Sequence, residues 1–360
     1  MSQVDDWIAA GIYDPDAPQA ADRLELLRFS AARGVTLDEL VQHATDGTLV
    51  RAAVDRVLHV ERTITVEEAA HRVGLPIDVL VRVWLALGFP PPPEDQPMFN
   101  EDDLGLLEAF HVVLDLFEMD AALQFTRVLG SSIGRIGEAA VASFLMNVEG
   151  PLLTAAAGEA AQAKASTTGA EMARDLPSLF HGLYRRHFQL AVERSRATQD
   201  DTAFGTFHLT VGFCDLVGYT AWSRSLDAGA LARAVNSFES AAHELITTAG
   251  GRLVKSLGDA VLFTTATPAV AAAIALDLTA FVESDAHLTG LRSALASGDV
   301  LGRDGDFYGP VVNLAARMVK ETAPGTVVSD RPIDGFTARP IGRAALKGIG
   351  EDTELYVVGR

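Results

Sequence analysis

At Thr206 the apolar residues of this chain change period, and that change fixes more of the fold than any other feature. Before it, apolar residues recur at spacings of three and four, as helices buried on one side require: Leu40, Val41, Val50, Val54, Val57 and Leu58 are one such set. Thr65 with Glu68 three residues on predicts a helix start, and Gly74 its stop. Ile77 to Leu87 predicts the next helix, broken by Pro90 to Pro93, and Asn100 predicts a further cap. Residues 153–170, mostly Ala, Gly, Ser, Thr, Glu and Gln, read as a solvated helix or a loose connector. Residues 175–200 return to the helical pattern, and Gln199 to Thr202 reads as a hinge.

From Thr206 the chain reads differently. Phe207 to Phe213 is β-branched and aromatic, a strand. Residues 227–249 are helical, Arg252–Leu257 and Ala260–Thr264 are strands around Gly258-Asp259, and 268–284 are helical. Leu291–Val300 is a strand, Pro310–Lys320 a helix, and Val327-Val328 and Leu355–Val358 are short late strands. The order β-α-β-β-α-β is the ferredoxin-like arrangement. The expected fold is therefore α+β in two domains: residues 1–200 helical, including a linker helix from about 175, and residues 205–360 ferredoxin-like.

Charge narrows the partners. The net charge is −19, and residues 1–204 carry 31 acids against 16 bases. Such a surface repels nucleic acid and anionic lipid. Ile64–Pro76 has the outline of a helix-turn-helix start, but Ile77–Leu87 offers Arg82 as its one base, so no nucleic-acid role is expected. The single cysteine, Cys214, excludes an intrachain disulfide and a cysteine zinc site, and in an apolar run it reads as a buried small residue. The N-terminus lacks a signal-peptide pattern and no run of about 18 uninterrupted apolar residues occurs. The expectation is a cytoplasmic chain with no membrane span.

Asp215 and Asp259 carry the chemistry. Each ends or follows a strand-like run and each stands close to glycine. Two carboxylates on rigid strand ends can grip two divalent cations on a polyphosphate, the part list of two-metal phosphoryl or nucleotidyl transfer. Alone, either aspartate would read as a cap or turn residue, and Gly258-Asp259 as an ordinary hairpin turn.

Three ordered motifs change that reading. Phe213-Cys214-Asp215-Leu216-Val217-Gly218-Tyr219-Thr220, Lys255-Ser256-Leu257-Gly258-Asp259 and Asp306 through Arg317 resemble the metal, base-selecting and transition-state segments of class III nucleotidyl cyclases. The resemblance spans residues 205–360, with Tyr219 where the family more often has Phe. It implies Asp215, Asp259 and the Leu216 carbonyl as ligands of two Mg²⁺ or Mn²⁺ ions per active site. It implies Asn313 on the ribose and Arg317 on the α-phosphate, four residues apart on one helix face. Lys347, in Leu346-Lys347-Gly348-Ile349, resembles a late phosphate-binding lysine. Lys255 can donate to adenine N1 and Asp306 can accept from its exocyclic amine, whereas guanine presents the reverse pattern. The implied substrate is ATP and the implied product 3′,5′-cyclic AMP. A catalytically silent module that binds a nucleotide or partner is the alternative.

Lys255 and Asp259 are four residues apart, yet one must reach the base and the other the metals. In the family such sites lie between two catalytic domains, so a homodimer with two equivalent sites is expected. The helical half resembles the regulatory domain preceding the catalytic domain in some actinobacterial adenylyl cyclases. It is expected to restrain catalysis, with a proton or a fatty acid as effector. His43, His59, His71, His111, His181 and His187 make the proton reading possible.

Overall fold

The structure, a computed structural model, describes residues 2–198, 205–344 and 353–360. The expected hinge at 199–202 lies outside them. The chain forms two compact units, Met1–Arg186 and His187–Arg360.

The described part of the first unit is all helical. α1 (Gln3–Ala9), α2 (Ala20–Ala32), α3 (Leu37–Thr45) and α4 (Ala52–Leu58) share a core around Trp7, Leu26, Leu27, Leu40 and Leu49. α5 (Val66–Val73), α6 (Ile77–Ala86), α7 (Glu101–Leu114) and the start of α8 (Met119–Phe144) share a second, around Leu80, Trp84, Phe99, Leu107 and Leu123. The caps stand where the sequence places them. Thr65 accepts from the Glu68 amide, and Asn100 and Asp103 cap each other's backbone. A π turn joins α8 to α9 (Gly150–Thr154). The stretch read as a solvated helix or connector is α10 (Glu159–Asp175), and it is packed, with Ala160, Ala163 and Thr167 buried. Small side chains let it lie close to α2, and Arg23–Glu159 and Arg33–Glu171 pairs flank the seam. α11 (Pro177–Thr198) runs across the unit boundary.

One helix bears on the expected absence of a membrane span. The helix through Met119–Thr154 has an 18-residue window of mean hydropathy 1.2, none of it buried, and is long and apolar enough to cross a membrane. A search for an uninterrupted apolar run passes over it because Ser, Gly and Arg punctuate the sequence.

The second unit is a mixed sheet with helices on both faces. Its elements are β1 (Thr206–Leu216), α12 (Tyr219–Ser223), α13 (Ala228–Thr248), β2 (Arg252–Ser256), β3 (Ala260–Thr265), α14 (Pro268–Ser284), β4 (Leu291–Arg303), β5 (Asp306–Tyr308), α15 (Pro310–Glu321), β6 (Thr326–Ser329), β7 (Thr337–Ala344) and β8 (Thr353–Gly359). The order β2-β3-β1-β4, antiparallel throughout, is ferredoxin-like, and β6, β8 and β7 extend it. Side chains alternate across a strand. Cys214 and Leu216 face α13 and α14 with Phe238 and Leu278, whereas Leu209 and Val211 face α15 with Met318. By the same alternation Asp215 points to the α15 side. Truncating Phe238 or Leu278 to Ala costs about 2–5 kcal/mol, so the face behind the site is rigid.

Candidate active site

Asp215 is held from the side and from below. On β4, Arg292 stands directly opposite it in register. The Arg292 Nε and Nη2 both donate to Asp215 Oδ2, at 2.8 and 2.5 Å, and Nη1 donates to the Lys320 carbonyl at 3.2 Å. The Asp215 side chain keeps 16% exposure. Asp259 occupies the β2–β3 turn, where Gly258 takes a φ of 80° that a residue with a Cβ resists. Its carbonyl accepts from the Leu216 amide at 2.8 Å, so the backbone carrying one carboxylate is tied to the backbone carrying the other. Burial raises the Asp259 pKa, the Asp215 charge adds to that, and Arg292 opposes it.

These groups line a pocket of about 460 Å³ with Leu216, Gly218, Tyr219, Thr220, Ala221 and Lys320. The donor set fits Mg²⁺ or Mn²⁺. Such cations take hard oxygen ligands, use one or two carboxylates, and complete their shell with water and substrate phosphate. Among the described residues no group of three or more His, Cys, Asp or Glu is placed to hold a metal ion, so the protein offers this pair and backbone oxygen. Arg292 and Lys320 add positive charge at the same pocket. Two carboxylates with two cations are complementary to a metal–polyphosphate rather than to either alone.

Lys255 and Asp306 meet elsewhere. β5 pairs with β4, which is separated from β2 by β3 and β1, yet the β4–β5 hairpin brings Asp306 to Lys255. Its loop is Asp304-Gly305, with φ of 59° and 76°, the two-residue turn that Asp-Gly favours. The Lys255 Nζ donates to Asp306 Oδ2 at 2.5 Å, and the Phe307 amide donates to Oδ1 at 2.8 Å. Arg252 pins the hairpin by donating to the Gly305 carbonyl at 2.5 Å and lying 5.0 Å above the Phe307 ring. Burial lowers the Arg252 pKa, with Arg194 adding to the effect. Asp306 lines a cavity of about 740 Å³ together with Phe207, Leu209, Arg252 and the end of α11.

Asn313 and Arg317 project from one face of α15 and are exposed, and neither lines the pocket or the cavity. Lys347 lies outside the described residues. Cys214 is fully buried and accepts from the Ser293 hydroxyl at 3.2 Å. Burial pushes its thiol up to about 12, which removes thiolate chemistry at neutral pH. Sequence reading missed Arg292 and Lys320. Arg292 looks like any polar residue in a strand until the β1–β4 register sets it against Asp215.

Comparisons with known proteins find relatives over both parts of the chain. The family described as adenylate cyclase regulatory domain matches residues 5–189. An adenylate cyclase of Streptomyces coelicolor is 32% identical over 76% of this chain and 71% of its own length. A pH-sensitive adenylate cyclase of Mycobacterium tuberculosis is 27% identical over 94% of this chain and 88% of its own. The solved structure of the adenylyl cyclase CyaB from P. aeruginosa covers 43% of this chain and 95% of that chain, at 23% identity and a TM-score of 0.38.

Proposed function

The chain belongs to the adenylate cyclase family, and on that premise we propose that it converts ATP to 3′,5′-cyclic AMP and pyrophosphate at sites shared between two copies of itself. One observation carries the shared site. The pocket of Asp215 and Asp259 and the cavity of Asp306 have no lining residue in common, while Asn313 and Arg317 stand exposed beside neither. A second copy, turned by a two-fold axis, supplies what each half lacks.

Asp215 and Asp259 would hold the cations, and Arg292 keeps the Asp215 carboxylate in place. When bound, two divalent cations acidify the ribose 3′-hydroxyl and neutralise the triphosphate. Lys255 and Asp306 present a donor beside an acceptor, which matches N1 and the amine on one edge of adenine. Asn313 from the other copy orients the ribose, and Arg317 offsets charge growing on the α-phosphate. The 3′-oxygen forms a bond to the α-phosphorus, and the bond from that phosphorus to the bridging oxygen breaks. Pyrophosphate leaves with the electron pair and the hydroxyl proton passes to solvent.

Purified protein given ATP or GTP with Mg²⁺ or Mn²⁺ tests this reading. Cyclic AMP from ATP is expected, with GTP slower by about two orders of magnitude, since mispaired polar groups in a built site discriminate strongly. No cyclic product from either nucleotide sinks the reading and leaves the silent binding module.

Residues 1–200 restrain the catalytic unit in this proposal, with the proton as effector. A relative named pH-sensitive supports it. So do two part-buried histidines: His43 bonded to Thr48 at 2.9 Å, and His111 bonded to the Val73 carbonyl at 2.8 Å. Equal turnover by the full chain and by residues 187–360, across pH 5.5 to 8, rejects it. The fatty-acid alternative predicts activation by added acyl lipid instead.

A further inference from the structure

α15 carries a third polar residue in line with Asn313 and Arg317. Lys320 is seven positions after Asn313 and three after Arg317, which places all three on one stripe, spread over about 10 Å of helix. Yet the stripe does not serve one place. Asn313 and Arg317 line neither opening, whereas Lys320 lines the pocket of its own chain's Asp215 and Asp259. Its backbone is anchored there, because the Lys320 carbonyl accepts from the same Arg292 that clasps Asp215. Its side chain is exposed, and among the described residues no carboxylate lies within ion-pair distance of it. The C-terminal end of α15 thus sets an exposed lysine at the rim of a pocket already containing Arg292 and two carboxylates.

We propose that Lys320 binds the β- and γ-phosphates of the nucleotide held by the carboxylates of its own chain, so that α15 serves two active sites at once: Asn313 and Arg317 in the partner's, Lys320 in its own. This rests on the cyclase reading above. The β,γ end is the part of the substrate that departs as pyrophosphate, and a lysine there acts as a point charge on a polyanion. The contact exists in bound substrate as well as in the transition state, so its loss raises KM more than it lowers kcat.

Pyrophosphate itself is the probe, because its binding can be read without turnover. Calorimetric titration of Mg-pyrophosphate into the full chain should give about tenfold weaker binding for Lys320→Ala than for wild type, with Lys320→Arg near wild type. In turnover, Lys320→Ala should raise KM for ATP and the inhibition constant of pyrophosphate about tenfold, leaving inhibition by cyclic AMP and the melting temperature unchanged. Equal pyrophosphate affinity in Lys320→Ala and wild type, or no binding by wild type, overturns the assignment. A wild type that binds pyrophosphate but makes no cyclic nucleotide overturns the cyclase reading while leaving the Lys320 comparison intact.

Mixed dimers separate the two copies. Asn313→Ala chains are combined with chains carrying both Asp215→Ala and Lys320→Ala. The restored site takes its carboxylates from the first chain and its Asn313 from the second. Wild-type KM is expected if Lys320 serves its own chain's carboxylates. A KM raised about tenfold places Lys320 in the partner's site and contradicts the proposal.

Discussion

Asp215 meets Arg292 at 2.5 Å and Asp306 meets Lys255 at 2.5 Å, yet the two pairs stand in unlike surroundings. Beside Asp215 lies a second carboxylate whose pKa is raised, mainly by burial. That pocket holds like charge at close quarters, which a bound cation would relieve. Beside Asp306 each oxygen already has one donor, Lys255 on one and the Phe307 amide on the other, and keeps room to accept a second. That pair is balanced and suits a neutral ring with a donor and an acceptor on one edge. In the function proposed above, the same kind of contact would serve metal in one place and base in the other, and what surrounds it would decide which.

The comparison breaks most sharply at the carboxylates. Asp215→Ala should cut kcat by about a thousandfold or more, because the cation that acidifies the nucleophile loses its ligand. Arg317→Ala should cost about 10²–10³ in kcat, as for loss of one group that stabilises transition-state charge. Neither change should disturb the ratio of ATP to GTP use. If Asp215→Ala alters that ratio while retaining most of its rate, the division between a metal pocket and a base pocket fails.

The second pair should respond in the opposite way. Lys255→Glu with Asp306→Ser exchanges donor for acceptor on the base edge. The ratio of kcat/KM for ATP over GTP should fall by about 10², while divalent-cation dependence stays as in wild type. An unchanged ratio removes Lys255 and Asp306 from base selection.

The smallest effect concerns stability. The folded chain holds the Asp259 proton more tightly than the unfolded chain, since its pKa is raised above 3.8, first by burial and then by Asp215. That stabilising contribution is complete below the unfolded value and is lost as pH rises through the folded one. Asp259→Asn should therefore melt slightly higher than wild type at neutral pH with chelator present, by about 1 °C, and the gap should close toward about pH 4. A lower melting temperature at neutral pH means Asp259 stabilises the fold rather than straining it.

Sequence made some of this legible and hid the rest for physical reasons. The capped helices were readable because Thr65 and Asn100 announce themselves locally. Asp215 and Asp259 were readable because strand-like runs and glycines bracket them. β7 was not, since Pro340 and Gly342 interrupt it and most of it is exposed, so it shows no alternation. α10 was ambiguous because its buried residues are small, and small residues look alike whether packed or solvated. Arg292 and Lys320 were invisible because only the β1–β4 register and the end of α15 bring them to Asp215, from 77 residues away in the case of Arg292.

The most direct test of the shared site mixes Asp215→Ala chains with Asn313→Ala chains, each expected to be inactive alone. If the carboxylates and Asn313 of one site come from different copies, mixed dimers regain one intact site of their two, and cyclic AMP synthesis should return to about a quarter of wild type under random pairing. A mixture that exchanges subunits and still makes no cyclic AMP contradicts the account.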